Sequence, residues 1–187
     1  MQFIFIYFFK DGVFYPNRDY IGEKIYRRKR MTLRFAQGLY SFMLVLATAL
    51  LTKYFVTQGI DIFYGSLNLP EATPDNSYFS YIWRALYILL FISFFLILRA
   101  DKPQELADDA GALFVSQLFL QILWAFSFFY LEQLTAAAIV IVLLDIVAAL
   151  MIHTFFFISK TAFVLTLPYM LWLLFATYLN IYILFIN

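Results

Sequence analysis

The sequence contains no cysteine, one histidine and few charged residues, and each shortage excludes a kind of protein. Without cysteine the chain has neither disulfides nor thiolate metal sites. A single histidine, His153, cannot build the His-rich site that zinc usually occupies, so no metal is expected. Charged residues make up 13% of the 187 residues, against about 25% in ordinary soluble domains. A soluble domain of average composition is therefore excluded.

Motifs that carry chemistry are missing as well. The sequence shows no phosphate-binding glycine loop, no nucleophile triad and no pair of carboxylates placed for acid–base work. We therefore predict no required cofactor and no nucleic-acid partner for a chain whose net charge is only +1.

Apolar residues dominate instead. They form 64% of the chain, aromatic residues 22%, and the mean hydropathy is +0.82. Crossing the hydrocarbon of a bilayer takes about 20 helical residues, and runs near this length lie at about 36–57, 79–98, 112–131, 134–157 and 162–185. A β-barrel would need short alternating segments, whereas these runs are unbroken. The predicted fold is an all-α membrane protein, a bundle of five transmembrane helices over residues 36–187.

Residues 1–35 are predicted to be a basic N-terminal extension, cytoplasmic or interfacial. Eight of the thirteen Lys and Arg residues precede the first span. The positive-inside rule therefore places the N-terminus in the cytoplasm and the C-terminus outside. The segment reading MQFIFIYFF is too short to span, and Met31 begins a segment that would be a normal start for a membrane protein. The first thirty residues are accordingly expected to be dispensable.

The longest connection joins the first two spans and reads QGIDIFYGSLNLPEATPDNSYFS. Its Gly, Pro, Asn, Asp and Ser content predicts a loop that faces the outside. Two interpretations are open, a lid over a cavity between helices or a solvated connector.

Polar and aromatic residues recur at helical spacing in three of the spans. They are Trp83, Tyr87 and Leu90 in the second span, Gln117, Gln121, Trp124 and Phe128 in the third, and Tyr169, Trp172, Ala176 and Asn180 in the fifth. Amide side chains are costly against lipid, so these stripes are predicted to face the interior of the bundle. They indicate either an aromatic ligand pocket or tight helix packing in which the amides join helices.

Arg84, Asp145 and His153 are ionisable residues inside the predicted spans. Arg84 lies near the end of its helix and can extend to the interface. Asp145 lies near the middle of the fourth span, where a carboxylate needs a partner and is a functional candidate. An ion pair between Arg84 and Asp145 is one option, and a glutamine or water is the other. His153 is expected to be a hydrogen-bonded packing residue.

The fifth-span segment PYMLWLLFATYLN, residues 168–180, resembles the signature of the translocator protein family at every defined position. This family is also called tryptophan-rich sensory proteins or peripheral benzodiazepine receptors. The third span is similar to the family pattern, with Gln121 in place of an Asn. The second span is similar through its Trp-x-x-Leu-Tyr element, with Phe91 where a Gly is usual, and the loop element FYGSLNLPEATP also resembles the family. The resemblance covers about residues 36–187.

The resemblance implies an integral protein of a bacterial cell membrane, commonly a homodimer, with a cavity under the first loop. That cavity would bind porphyrins, haem-related tetrapyrroles and isoquinoline or benzodiazepine ligands. The residues expected to bind them are Tyr64, Pro70, Trp83, Tyr87, Gln117, Gln121, Trp124, Phe128, Tyr169, Trp172, Ala176 and Asn180. Sterol binding is not expected, because the animal sterol motif ends helix five with a basic residue and NIYILFIN has none.

Three functions follow as hypotheses. The first is a membrane receptor or carrier for tetrapyrroles, in which a flat ligand stacks on the tryptophans. The second is light- or oxygen-dependent porphyrin breakdown, with Trp83 as the redox-active aromatic residue. The third is a signalling or stress-response partner that acts through the basic N-terminal segment.

Overall fold

A computed structural model gives the backbone of residues 7–10, 13–16 and 18–187, and the side chains of residues 35–103 and 105–187. Two short antiparallel strands, β1 (Tyr7–Lys10) and β2 (Val13–Pro16), precede the helices. The helices are α1 (Arg18–Gly59), α2 (Asn76–Leu98), α3 (Gln104–Ala125), α4 (Leu134–Ile158) and α5 (Lys160–Ile186). The chain divides into two units, residues 1–39 and 40–187.

The predicted fold class is confirmed. In the part of the chain with described side chains, five helical segments are long and apolar enough to cross a membrane. They are Phe35–Tyr64, Asn76–Leu98, Glu105–Tyr130, Leu134–Ile158 and Lys160–Ile186. The predicted opening segment falls partly on residues 1–6, and the basic side chains before Phe35 also lie outside the described side chains. The helix α1 itself runs from Arg18 through the first span.

The first span is longer than predicted, because part of the predicted loop is helical. A π-helical segment, Ile60–Tyr64, follows α1 directly, and Gly59 at the junction keeps a right-handed helical backbone with φ −112° and ψ −7°. Gly and Asp in this stretch had indicated a turn, but the apolar residues between them continue the helix. A second π-helical segment, Phe126–Tyr130, extends α3. The true loop is therefore Leu67–Asp75, which we call the first loop.

Helices α2 to α5 form a ring in which α3 packs on α4, α4 on α5 and α5 on α2, whereas α2 and α3 contact each other only slightly. Fully buried phenylalanines fill the half of the ring that is remote from the first loop. The rings of Phe94 and Phe114 stack with centroids 3.9 Å apart, and Phe155 lies 6.4 Å from Phe114. Helix α1 contacts the ring through Ser41, whose hydroxyl donates to the Phe91 carbonyl at 3.1 Å. Close packing and such hydrogen bonds stabilise helices in lipid, where hydrophobic burial contributes little.

The remaining turns are short, so the flanking helices are antiparallel neighbours. Leu131–Gln133 joins the second π-helical segment to α4, with Glu132 in the left-handed region at φ 58°. Ser159 alone separates α4 from α5, and its hydroxyl caps α5 by accepting from the Ala162 amide at 3.3 Å.

Candidate functional site

A cavity lies at the end of the bundle that carries the first loop. It is enclosed by the end of α1 with its π-helical extension, the start of α2, the end of α3 and the last turns of α5. Its lining is mostly aromatic and aliphatic and consists of Val56, Ile60, Tyr64, Asn76, Phe79, Trp124, Phe128, Phe129, Ala176, Leu179, Asn180 and Ile183. The free volume is about 40 Å³, well below the roughly 300–1,000 Å³ of pockets that enclose drug-sized ligands.

The tryptophans converge beside this cavity. The ring centroid of Trp83 lies 6.4 Å from that of Trp124 and 6.5 Å from that of Trp172. Phe79, one turn before Trp83 on α2, lines the cavity and lies 5.5 Å from Trp172. Edge and tilted contacts at these distances are the favourable geometries for aromatic pairs. Stripes from α2, α3 and α5 therefore meet in one aromatic cluster, which we call the tryptophan cluster.

The amides of α3 are bonded to tyrosines of neighbouring helices. Tyr169 donates to Gln117 Oε1 at 2.6 Å, and Gln121 Nε2 donates to the hydroxyl of Tyr87 at 3.0 Å. Gln117, Gln121 and Tyr169 are fully buried, so the prediction that these stripes face inward is confirmed. The donor of Gln121, which was expected to serve a ligand, is instead used within the protein because a buried amide needs a partner.

Other polar atoms around the tryptophan cluster are buried without a hydrogen-bond partner. Among the described side chains these are Nε1 of Trp124 and Trp172, Oδ1 of Asn180, Nε2 of Gln117 and Oε1 of Gln121. Leaving a buried donor or acceptor unpaired costs about 1–3 kcal/mol, so their concentration in one place is informative. Trp124 and Asn180 line the cavity, which gives it one donor and one acceptor for a polar group of a bound molecule.

The ionisable residues depart from the expected arrangement. Thr177 of α5 donates to Asp145 Oδ2 at 2.8 Å, whereas Arg84 is exposed, donates to Ser80 at 3.0 Å and lies over the Tyr81 ring. The side chains of Arg84 and Asp145 both lie in the described part of the chain, and the ion pair considered above is not formed between them. Arg84 faces outward on α2, and Asp145 faces α5, which brings a hydroxyl within reach. His153 is likewise exposed and contacts only the ring of Phe157 in the contacts described.

Two further candidates, Tyr64 and Pro70, came from the family resemblance and not from the stripes, and the structure separates them. Pro70 is buried in the first loop but lines a separate groove with Tyr178 and Tyr182, not the cavity. Tyr64 lines the cavity, with its ring 6.2 Å from Phe128. Of the residues expected to bind ligand, the cavity lining contains Tyr64, Trp124, Phe128, Ala176 and Asn180. Trp83, Tyr87, Tyr169 and Trp172 belong to the surrounding cluster.

Several lining residues were not predicted, although the pattern contained a signal for some of them. Phe79 precedes Trp83 by four residues, and Ile183 follows Asn180 by three, so extending the same stripes would have included both. Ile60 and Phe129 carried no such signal. Both lie in π-helical segments, where side chains no longer follow the 3.6-residue spacing of the α-helix.

The fold and the cavity together define a class of protein: a five-helix integral membrane protein with an aromatic cavity at one end of the bundle. Comparison with known sequences identifies its family. The sequence model of the TspO/MBR family matches residues 41–186, and the chain belongs to this family. The resemblance drawn from the fifth-span signature is therefore confirmed.

Individual relatives agree with this assignment. The chain is 33% identical to the tryptophan-rich protein TspO of Archaeoglobus fulgidus over 147 residues, which cover 79% of this chain and 94% of the relative. It is 31% identical to the protein of the same name from Chlorobaculum tepidum over 144 residues, 77% of this chain and 91% of the relative. The tryptophan-rich sensory protein of Cereibacter sphaeroides is 33% identical over 121 residues, 64% of this chain and 73% of the relative.

Proposed function

We propose that the protein is an integral membrane receptor or carrier that binds a tetrapyrrole, such as a porphyrin, in the cavity under the first loop. The observation that carries this proposal is the tryptophan cluster, where Trp83 contacts both Trp124 and Trp172 beside a cavity lined by aromatic rings. A large flat ligand gains most from such rings, because stacking adds about 0.5–1.5 kcal/mol per aromatic pair beyond the area buried.

The polar atoms of the cavity suit the same ligand class. Trp124 Nε1 is a donor and Asn180 Oδ1 an acceptor, and both are buried without a partner. A tetrapyrrole offers pyrrole N–H groups and peripheral carboxylates, which match an acceptor and a donor respectively. Because the cavity holds only about 40 Å³ in this conformation, binding a porphyrin requires the first loop and the rings beneath it to move apart.

The test is a titration of the purified protein with protoporphyrin IX, followed by the porphyrin absorbance and the quenching of tryptophan fluorescence. Trp124→Leu and Trp172→Leu should each raise the Kd by at least about tenfold, equivalent to ~1.4 kcal/mol. Phe119→Leu is the matched control, because Phe119 is an exposed ring on α3 and should leave the Kd unchanged. Unchanged affinity in both tryptophan variants would contradict the assignment of the pocket.

A second candidate is photo-oxidative breakdown of the bound porphyrin. It is favoured by the position of Trp83, whose ring contacts Phe79, Tyr87 and Trp124 as well as Trp172 and Tyr169. Illuminating the complex in air separates the candidates, since a binding protein returns its porphyrin spectrally unchanged and a degrading one yields new products. Loss of those products in Trp83→Phe, with binding retained, would support the second candidate.

Assembly and transport belong to the proposal too. The family resemblance implies a homodimer in a bacterial cell membrane, and mass measurement in detergent reports its state. A carrier, unlike a receptor, transfers porphyrin from loaded to empty vesicles, so a transfer assay distinguishes the two roles.

A further inference from the structure

We propose that Asn187 is a positioning residue of the ligand site, whose side-chain amide clamps the first loop over the cavity and sets the rate at which ligand enters. This inference rests on the proposed function, because it concerns access to the same cavity. We call the contact between Asn187 and Asn68 the loop clamp.

The clamp consists of hydrogen bonds between the side-chain amide of Asn187 and one loop residue, Asn68, through its backbone N–H, its backbone carbonyl and its side chain. The backbone amide of Asn68 donates to Asn187 Oδ1 at 2.8 Å, and Asn68 Nδ2 donates to the same oxygen at 3.3 Å. In return, Asn187 Nδ2 donates to the Asn68 carbonyl at 3.1 Å. The amide of Asn187 thus pairs with the backbone of Asn68 as a neighbouring strand would, and it holds the backbone of the loop at this residue.

The other half of the clamp is anchored to α5. Asn187 Nδ2 also donates to the carbonyl of Ile183 at 2.9 Å, one helical turn earlier. Ile183 lines the cavity, and so do Asn180 and Ala176 on the same helix face. Asn187 therefore continues the wall of the cavity beyond its last lining residue, and the loop is attached at that point.

Two observations indicate that the clamp opens. The cavity has about 40 Å³ of free volume, too little for a large flat ligand, and Tyr64 and Asn76, which flank the loop on either side, both line it. Asn68 and Asn187 are both exposed, so water readily replaces their mutual hydrogen bonds. The clamp therefore defines a closed position of the loop that exchange with water can release.

The clamp can be measured without any ligand. Amide hydrogen exchange of residues 67–75 in the full-length protein should rise at least tenfold in Asn187→Ala, with a smaller rise in Asn187→Asp, which keeps the acceptor but loses the donor. Gln133→Ala is the control, because Gln133 is an exposed amide in the Leu131–Gln133 turn at the same end of the bundle. Exchange that is unchanged in Asn187→Ala would overturn the clamp.

The effect on access is tested with a reversible crosslink, for which the chain is suited because it contains no cysteine. In Asn68→Cys/Asn187→Cys, oxidation should slow the association of protoporphyrin IX at least tenfold, and a reducing agent should restore it. Asn187→Ala should accelerate association. Association rates that are equal in the oxidised, reduced and alanine forms overturn the gating role.

A third measurement distinguishes failure of the tetrapyrrole assignment from failure of the loop clamp. Acrylamide quenching of the tryptophan cluster reports opening of the cavity with no porphyrin present, and it should increase in Asn187→Ala and decrease in the oxidised pair. If the unaltered protein binds no porphyrin but quenching follows this pattern, the tetrapyrrole assignment fails and the clamp is supported. If quenching does not follow it, the clamp is overturned whichever ligand is used.

Discussion

At the scale of single residues, the interior of this bundle depends on hydrogen bonds between helices. Tyr169 and Gln117 are both fully buried, and the hydroxyl of one is the partner of the other at 2.6 Å. In lipid, such a bond is worth on average about 0.6 kcal/mol and at most about 1.7. An unpaired partner left in the interior costs more than the bond itself contributes.

We expect Tyr169→Phe and Gln117→Leu to lower the free energy of unfolding by about 1–3 kcal/mol each, because each leaves a buried polar atom without its partner. The double variant should be less destabilised than the sum of the two, which gives a coupling energy of about 0.6–1.7 kcal/mol. Unfolding in detergent, followed by circular dichroism, provides the measurement. Tyr178→Phe is the control, since Tyr178 is an exposed tyrosine on the same helix. Additive losses would contradict the pairing.

At the scale of elements, the two π-helical segments bring the backbones of α1 and α3 into close approach. Gly59 precedes the first segment, and Phe129 belongs to the second. A Cβ atom added to Gly59 would overlap the carbonyl group of Phe129 and lie 2.9 Å from its carbon and 3.0 Å from its Cα. Because the obstructing atoms are backbone atoms, they cannot rotate away. Glycine at this position is therefore required by packing.

Gly59→Ala should destabilise the protein by about 1–3 kcal/mol, the usual cost of overpacking a close contact. It should also weaken porphyrin binding, since Ile60 and Phe129 on either side of the contact line the cavity. Gly111→Ala is a matched control: nothing lies within 4 Å of its added Cβ, and alanine favours α3 over glycine by up to about 1 kcal/mol. Thermal unfolding of the two variants measures their stabilities, and the protoporphyrin titration measures binding. Equal stabilities of the two variants would contradict the close approach.

The elements also show how far the sequence could predict this structure. Periodicity predicted the inward faces of α2, α3 and α5, because a helix presents residues three and four apart on one side. It could not predict that Gln117 meets Tyr169 or that Thr177 meets Asp145, since those pairs depend on the relative heights of different helices. The extension of α1 into Ile60–Tyr64 was missed because Gly59 and Asp61 are also turn residues. The role of Asn187 depends on a loop that carries no periodicity.

At the scale of the whole molecule, the orientation in the membrane stays a prediction from the distribution of basic residues. Single cysteines placed in this cysteine-free chain would measure it. In intact cells, an impermeant maleimide should label Glu71→Cys in the first loop, whereas Lys102→Cys between α2 and α3 should be labelled only after lysis. Both residues are exposed, so access to the reagent depends on the side of the membrane. The reverse labelling pattern would invert the topology.

The stack of Phe94, Phe114 and Phe155 limits where a ligand could pass through the bundle. These rings are buried and close-packed in the half of the bundle remote from the cavity. Among the described residues, these rings fill the interior between the cavity and the remote end of the bundle. On the proposed function, a porphyrin that enters the cavity cannot continue along the axis of the bundle while these rings keep this packing, so delivery across the bilayer would require another route, through lipid or another protein.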